Sequence, residues 1–301
     1  MSQVEDYPGV VQRCPPAHGG PGSTAGVGGP CQGQGMSAQP AINAFGNDMA
    51  TLQKDWGTLT PAARTARLQS LVDAQATGNN FPAPRITTPS DLGAGRNGEL
   101  RFRRWQVAIN PGLMNASTLS RQQAEELGDT IYHETRHAEQ WFLMARRDAA
   151  AGLTASQIES RLSVPPLVAQ AAVADPLAAA GSRRGCADAM YNSVYGTDAA
   201  ARNATLTDLG TKSASLASAN QALAQATAAR DTLAATPGTT AQALAGANNL
   251  VNSTYATAMA QYHSFQTTYA AYRALPEEAD AWNAGTRAAA AVKSAFAPKG
   301  P

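Results

Sequence analysis

Four histidines occur in the 301 residues, and two of them, His133 and His137, stand four apart with Glu134 between. Residues i and i+4 of an α-helix lie one above the other on the same face. The surrounding pattern predicts such a helix: Ser120 caps it, and Leu127, Ile131, Ala138, Phe142 and Ala145 trace one stripe to about residue 150. Two imidazoles so placed can reach one zinc ion at about 2.0–2.1 Å each. Glu134, rotated slightly round the helix, can take a proton from a water activated by the metal and return it to a leaving group. Two surface histidines would match this spacing only by chance.

A zinc site needs a third protein ligand, and no histidine follows the helix closely. An HExxHxxGxxH pattern fails, because positions 140 and 143 are Gln140 and Leu143. The acidic pair Glu277 and Glu278 follows Pro276 and opens a second helix, where the macrodipole accommodates negative charge. Ordinary acidic bias at a helix start is the competing explanation. Asp280, a turn further on, can orient a ligand histidine.

The rest of the chain predicts a mostly helical α+β protein. Residues 1–40 are rich in Gly, Pro, Ser and Gln, and read as a flexible tail. A core spans 41–200, in which residues 78–97 read as loop. Leu100–Ile109 is the one strand signal, as a hairpin or a bulged strand. Between 201 and 275, Leu209, Leu216 and Leu223 recur every seven residues, as do Tyr255, Tyr262 and Tyr269. Thr236-Pro237-Gly238 separates two arms, giving an inserted, Ala-rich antiparallel helical hairpin with a coiled-coil-like seam. A last helix occupies most of 276–301.

The balance of 23 basic and 22 acidic side chains supplies no broad field for nucleic acid. Arg101, Arg103 and Arg104 read as a solvated strand face. No run of about 18 apolar residues predicts a membrane span. The N-terminus has no basic and apolar signal segment, which points to synthesis in the cytoplasm. Cys14, Cys31 and Cys186 are too few and scattered for a disulfide framework and read as free thiols.

Tyr132-His133-Glu134-Thr135-Arg136-His137-Ala138-Glu139-Gln140-Trp141, with the later Pro276-Glu277-Glu278-Ala279-Asp280-Ala281-Trp282, resembles the gluzincin-type metallopeptidases. Within these it is most similar to the metallopeptidase domains associated with bacterial extracellular contractile injection systems and polymorphic toxins. The resemblance covers residues 98–150 and 270–290. It implies a zincin-like domain and Zn2+ held by His133, His137 and Glu278, with Ala281 packed on the metal helix. Glu277 remains an alternative ligand. It implies hydrolysis of peptide bonds in a peptide or protein substrate, with Glu134 as general base. It also implies that a strand before the metal helix, here Trp105–Ile109, offers its edge to the substrate backbone.

Export as an effector or toxin in a contractile injection particle fits the missing signal peptide. The rival is a non-catalytic structural or cargo protein of such a particle, with zinc as a staple. Tyr195 and His263, with Tyr191 and Tyr272, are candidate donors to the transition-state oxyanion. Arg13-Cys14-Pro15 resembles, in part, the cysteine switch of matrix metallopeptidases, which would make Cys14 a latency thiol.

Overall fold

The computed structural model describes residues 31–92 and 97–297. A 3-10 turn, Gly35–Ser37, leads into α1 (Gln39–Asp55) and α2 (Pro61–Asn79). Three short strands follow: β1 (Arg85–Thr87), β2 (Gly98–Arg101) and β3 (Gln106–Ile109). Then come α3 (Pro111–Asn115), the long α4 (Arg121–Ala150), α5 (Ala155–Leu162), α6 (Pro166–Ala174) and α7 (Ser182–Val194). Two longer helices, α8 (Ala199–Ala235) and α9 (Ala241–Arg273), precede α10 (Pro276–Ala295). The protein is thus predominantly helical α+β with one small sheet.

The chain divides into two compact units, the α8–α9 hairpin (197–275) and a core of the flanking segments. In the hairpin, Ala219 and Ala226 of α8 are buried, and Leu209, Leu216 and Leu223 are half-buried. On α9 the buried positions are Ala258, Thr268 and Tyr272, and Thr268 donates to the Asp208 carboxylate of α8 (2.7 Å). The tyrosine heptad is not the seam: Tyr255 and Tyr262 are exposed. Small residues such as Ala258 occupy the seam and let the backbones approach, which leaves the Tyr255 and Tyr262 rings outside, with Tyr269 half-buried.

In the core unit α4 is the central element. Ser120 and Gln123 form a reciprocal capping box at its start (3.2 and 2.9 Å). From Thr130 to Arg146 every residue is buried. A helix enclosed on all sides is ordinarily apolar. This one buries His133, Glu134, Arg136, His137, Glu139 and Gln140, each of which needs a polar partner to offset the loss of water.

The sheet order is β1-β3-β2, with β3 parallel to β1 and antiparallel to β2. The strand expected from sequence is therefore a hairpin, turning at Phe102–Trp105, with Arg103 and Arg104 exposed at its tip. Because β3 is paired on both sides, it has no edge to offer a peptide; β2 and β1 are the edge strands. β1 falls in the stretch 78–97 read as loop, since three residues are too few to register a period.

Two expectations about the N-terminal segment need correction. Residues 31–40 are not tail: Cys31 and Met36 are fully buried, and α1 starts at Gln39. Cys31 and Cys186 form a disulfide (Cα–Cα 4.9 Å), so these two are not free thiols. Their 155-residue separation hides the pairing from any local reading of spacing.

A candidate metal centre at the crossing of two helices

Burial and packing bring α10 onto α4. Ala281, Ala284, Gly285, Ala288 and Val292 of α10 are all buried, and small side chains allow close contact. At Gly285 the approach leaves no room for a side chain: an added Cβ would strike the Asp129 carboxylate, with the Asp129 carbonyl oxygen at 3.0 Å and His133 Cβ at 3.2 Å. Glu278, two turns earlier on the same face, is thereby brought over His133 and His137. The N-terminal turn of α10 favours its negative charge.

The two imidazole Nε2 atoms lie 3.0 Å apart, and Glu278 Oε2 is 3.8 Å from His133 Nε2 and 3.6 Å from His137 Nε2. Three ligands on a tetrahedral zinc at about 2.0–2.1 Å would be separated by about 3.3–3.4 Å. The observed spacing brackets that value, and two imidazoles with one carboxylate are a donor set suited to zinc. The three side chains form a buried cluster that could hold a metal ion. All are 0–1% exposed, so water does not compete for them.

The charge balance of the cluster favours a cation. Burial works against a charged His137, but Glu278, through charge and hydrogen bonding, then Glu134 and Gln140 outweigh it, and the imidazole pKa is raised above its ordinary value. The same negative field that favours an imidazolium favours a metal ion in its place.

Glu134 is also completely buried, and its Oε2 accepts the Leu100 N–H of edge strand β2 at 2.7 Å. The general base expected from sequence is therefore fixed in orientation by the sheet. Trp282 packs its ring on His133 in an edge contact (4.6 Å).

The remaining candidates separate by position. Glu277 Oε2 accepts the Ser193 hydroxyl of α7 (2.6 Å), which gives this carboxylate a task away from the cluster. Asp280 accepts from Arg136 Nε (2.7 Å), Gln140 Nε2 (2.8 Å) and Ser37 Oγ (3.2 Å). It reaches His137 through Gln140, whose Oε1 is 2.8 Å from His137 Nδ1. The Tyr195 hydroxyl donates to the Leu162 carbonyl (3.1 Å), and its ring packs on Tyr191. Tyr191 in turn bonds Arg161 and lies under the Arg147 guanidinium (3.7 Å). His263 and Tyr272 belong to the hairpin unit, where the His263 ring packs on Tyr262. Cys14 lies outside the described residues.

Sequence reasoning missed Gln140, Arg136, Glu139 and Ser193. Arg136 bridges Asp280 and Glu139, and Glu139 also accepts the Met36 N–H (2.9 Å). Burial disfavours the Arg136 charge, but the two carboxylates overcome it and raise the pKa further. Gly35 opens the 3-10 turn before α1 with a positive φ of 55°, and a side chain there would collide with Glu139. The clue available in sequence was polarity on every face of one helix. Comparison with protein-family models, curated proteins and solved structures finds no match, so a functional reading rests on the residues of this site.

Proposed function

We propose that the protein is a zinc-dependent peptidase with a zincin-like core, using His133, His137 and Glu278 to hold the ion and Glu134 as general base. The convergence of the three donors to within 3.0–3.8 Å, beside an acidic residue that is not part of the cluster, carries this reading. A bound zinc ion supplies Lewis acidity, which polarises a carbonyl and lowers the pKa of water towards about 7. Glu134 takes the proton of the attacking water and passes it to the leaving amine. The Leu100 N–H keeps the Glu134 carboxylate oriented for this transfer. Because Glu134 and the cluster are 0–1% exposed, a peptide reaches them only after the surrounding chain moves.

The same burial favours a second reading, in which zinc staples α4 to α10 and the protein serves as a non-catalytic component or cargo of a secretion particle. A structural site has no use for a base. Glu134→Gln, assayed for zinc content and for cleavage of a mixed peptide library, separates the two. Retained zinc with lost cleavage supports the peptidase. Cleavage unchanged from the parent removes Glu134 from the mechanism, and a zinc-loaded parent that cleaves nothing leaves the staple. The ligand assignment is tested by Glu278→Gln and Glu277→Gln: zinc is lost in the first and kept in the second.

A further inference from the structure

We propose that Gln140 is a positioning residue that holds His137 as its Nδ1–H tautomer and so presents the Nε2 lone pair to the metal. This rests on the zinc reading above and adds to it a residue outside the ligand set.

The tautomer follows from counting donors. Gln140 Nε2 is 2.9 Å from the Glu277 carbonyl oxygen and 2.8 Å from Asp280 Oδ2. A carbonyl has no proton to give, and Asp280 Oδ2 already accepts from Arg136 Nε, which can only donate, while Oδ1 accepts the Ser37 hydroxyl. Both are acceptors, and both amide protons of Gln140 are committed to them. The reversed amide would set its oxygen against two oxygens in a fully buried place, where no water relieves the repulsion. The Gln140 Oε1 therefore faces His137 Nδ1 at 2.8 Å and can only accept. The proton resides on Nδ1, and Nε2, 3.6 Å from Glu278 Oε2, is the basic nitrogen.

One side chain also joins two ligands mechanically. Gln140 lies one turn after His137 on α4, and its amide protons go to the first turn of α10, the turn that carries Glu278. Any shift of α10 along α4 is thus felt at the imidazole. Groups that hydrogen-bond a ligand histidine typically account for 10–100-fold in metal affinity.

Gln140→Met keeps the length of the side chain but removes the acceptor and both donors. Gln140→Glu keeps an acceptor for Nδ1–H but loses the donors and faces Asp280. Zinc affinity is measured by competition with a chromophoric chelator, melting temperature is followed in parallel, and the ring nitrogens of zinc-loaded parent are observed by 15N-resolved NMR. The expected pattern is lower stability in both variants, zinc binding weakened about 10–100-fold in Gln140→Met, and a clearly smaller weakening in Gln140→Glu, which keeps the acceptor for His137 Nδ1. The parent spectrum shows a hydrogen-bonded proton on His137 Nδ1. Zinc affinity unchanged in Gln140→Met, or falling with melting temperature alike in both variants, overturns the proposal. So does a zinc-loaded parent with no proton on that nitrogen, a result that holds even where a variant fails to fold. A parent that takes up no zinc overturns the metal reading itself, and this inference with it.

Discussion

Replacing Gly285 by alanine adds one methyl group where α10 crosses α4, and the structure fixes the sign of the outcome. The new Cβ would meet the Asp129 carbonyl oxygen at 3.0 Å and His133 Cβ at 3.2 Å, besides the Asp129 carboxylate. Carbon atoms prefer about 3.5–4.0 Å, so the helices must part by about 0.5 Å or the side chains must leave their rotamers. Overpacking of this kind costs about 1–3 kcal/mol. Alanine is more favourable than glycine inside a helix by about 1 kcal/mol, which offsets part of the strain. The net expectation is a loss of about 1 kcal/mol, or about 2–4 °C for a unit of this size.

Gly185 of α7 supplies the control, since nothing lies within 4 Å of its added Cβ. There the same substitution keeps only the propensity gain, about 0.5–1 kcal/mol of stabilisation. Tryptophan fluorescence is the suitable probe, because Trp56, Trp105, Trp141 and Trp282 all lie in the core unit and none in the hairpin. Zinc content should fall in Gly285→Ala, because Glu278 shares the displaced face, and remain at the parent level in Gly185→Ala. A Gly285→Ala protein that melts above the parent and keeps its zinc would refute the close crossing as the device that sets the cluster.

Three further outcomes follow from the same contacts. Closing a 155-residue loop, the Cys31–Cys186 bond is worth roughly 5 kcal/mol on a chain-entropy basis; Cys31→Ser/Cys186→Ser should move the guanidinium midpoint sharply down, and coincident curves with and without reductant would contradict the pairing. Ser193→Ala removes a donor from the buried Glu277 carboxylate and should cost about 1–3 kcal/mol in chemical denaturation while leaving zinc content intact; lost zinc would instead bring Glu277 into the ligand set. Arg136→Met removes the cation between the buried Glu139 and the half-buried Asp280, leaving each carboxylate only neutral donors among the described residues, and should cost about 3–5 kcal/mol, read as a loss of soluble folded protein or a low melting temperature; a melting temperature at or above the parent's would show that the carboxylates are satisfied without it.

Local physics made part of this protein readable from its residues. The start of α4 follows from Ser120 and Gln123, the opening of α10 from Pro276, and the shared face of His133 and His137 from helical periodicity alone. Each depends on residues within a turn or two of one another, where backbone geometry leaves few alternatives. The acidic pair after Pro276 could be placed at a helix start, yet which carboxylate faces the histidines depended on α7, whose Ser193 engages Glu277.

Where the chain returns to itself over long distances, periodicity carried no information. The tyrosine heptad of α9 has a regular period, but small residues took the seam and turned Tyr255 and Tyr262 outward. The strand over Gln106–Ile109 was visible, but its central place in the sheet came from pairing with β1 and β2. The Cys31–Cys186 bond and the Gln140 bridge span 155 and 140 residues respectively. Sequence spacing states which groups can share a face; only packing decides which distant faces meet, because burial leaves each polar group the partners that the fold puts within reach.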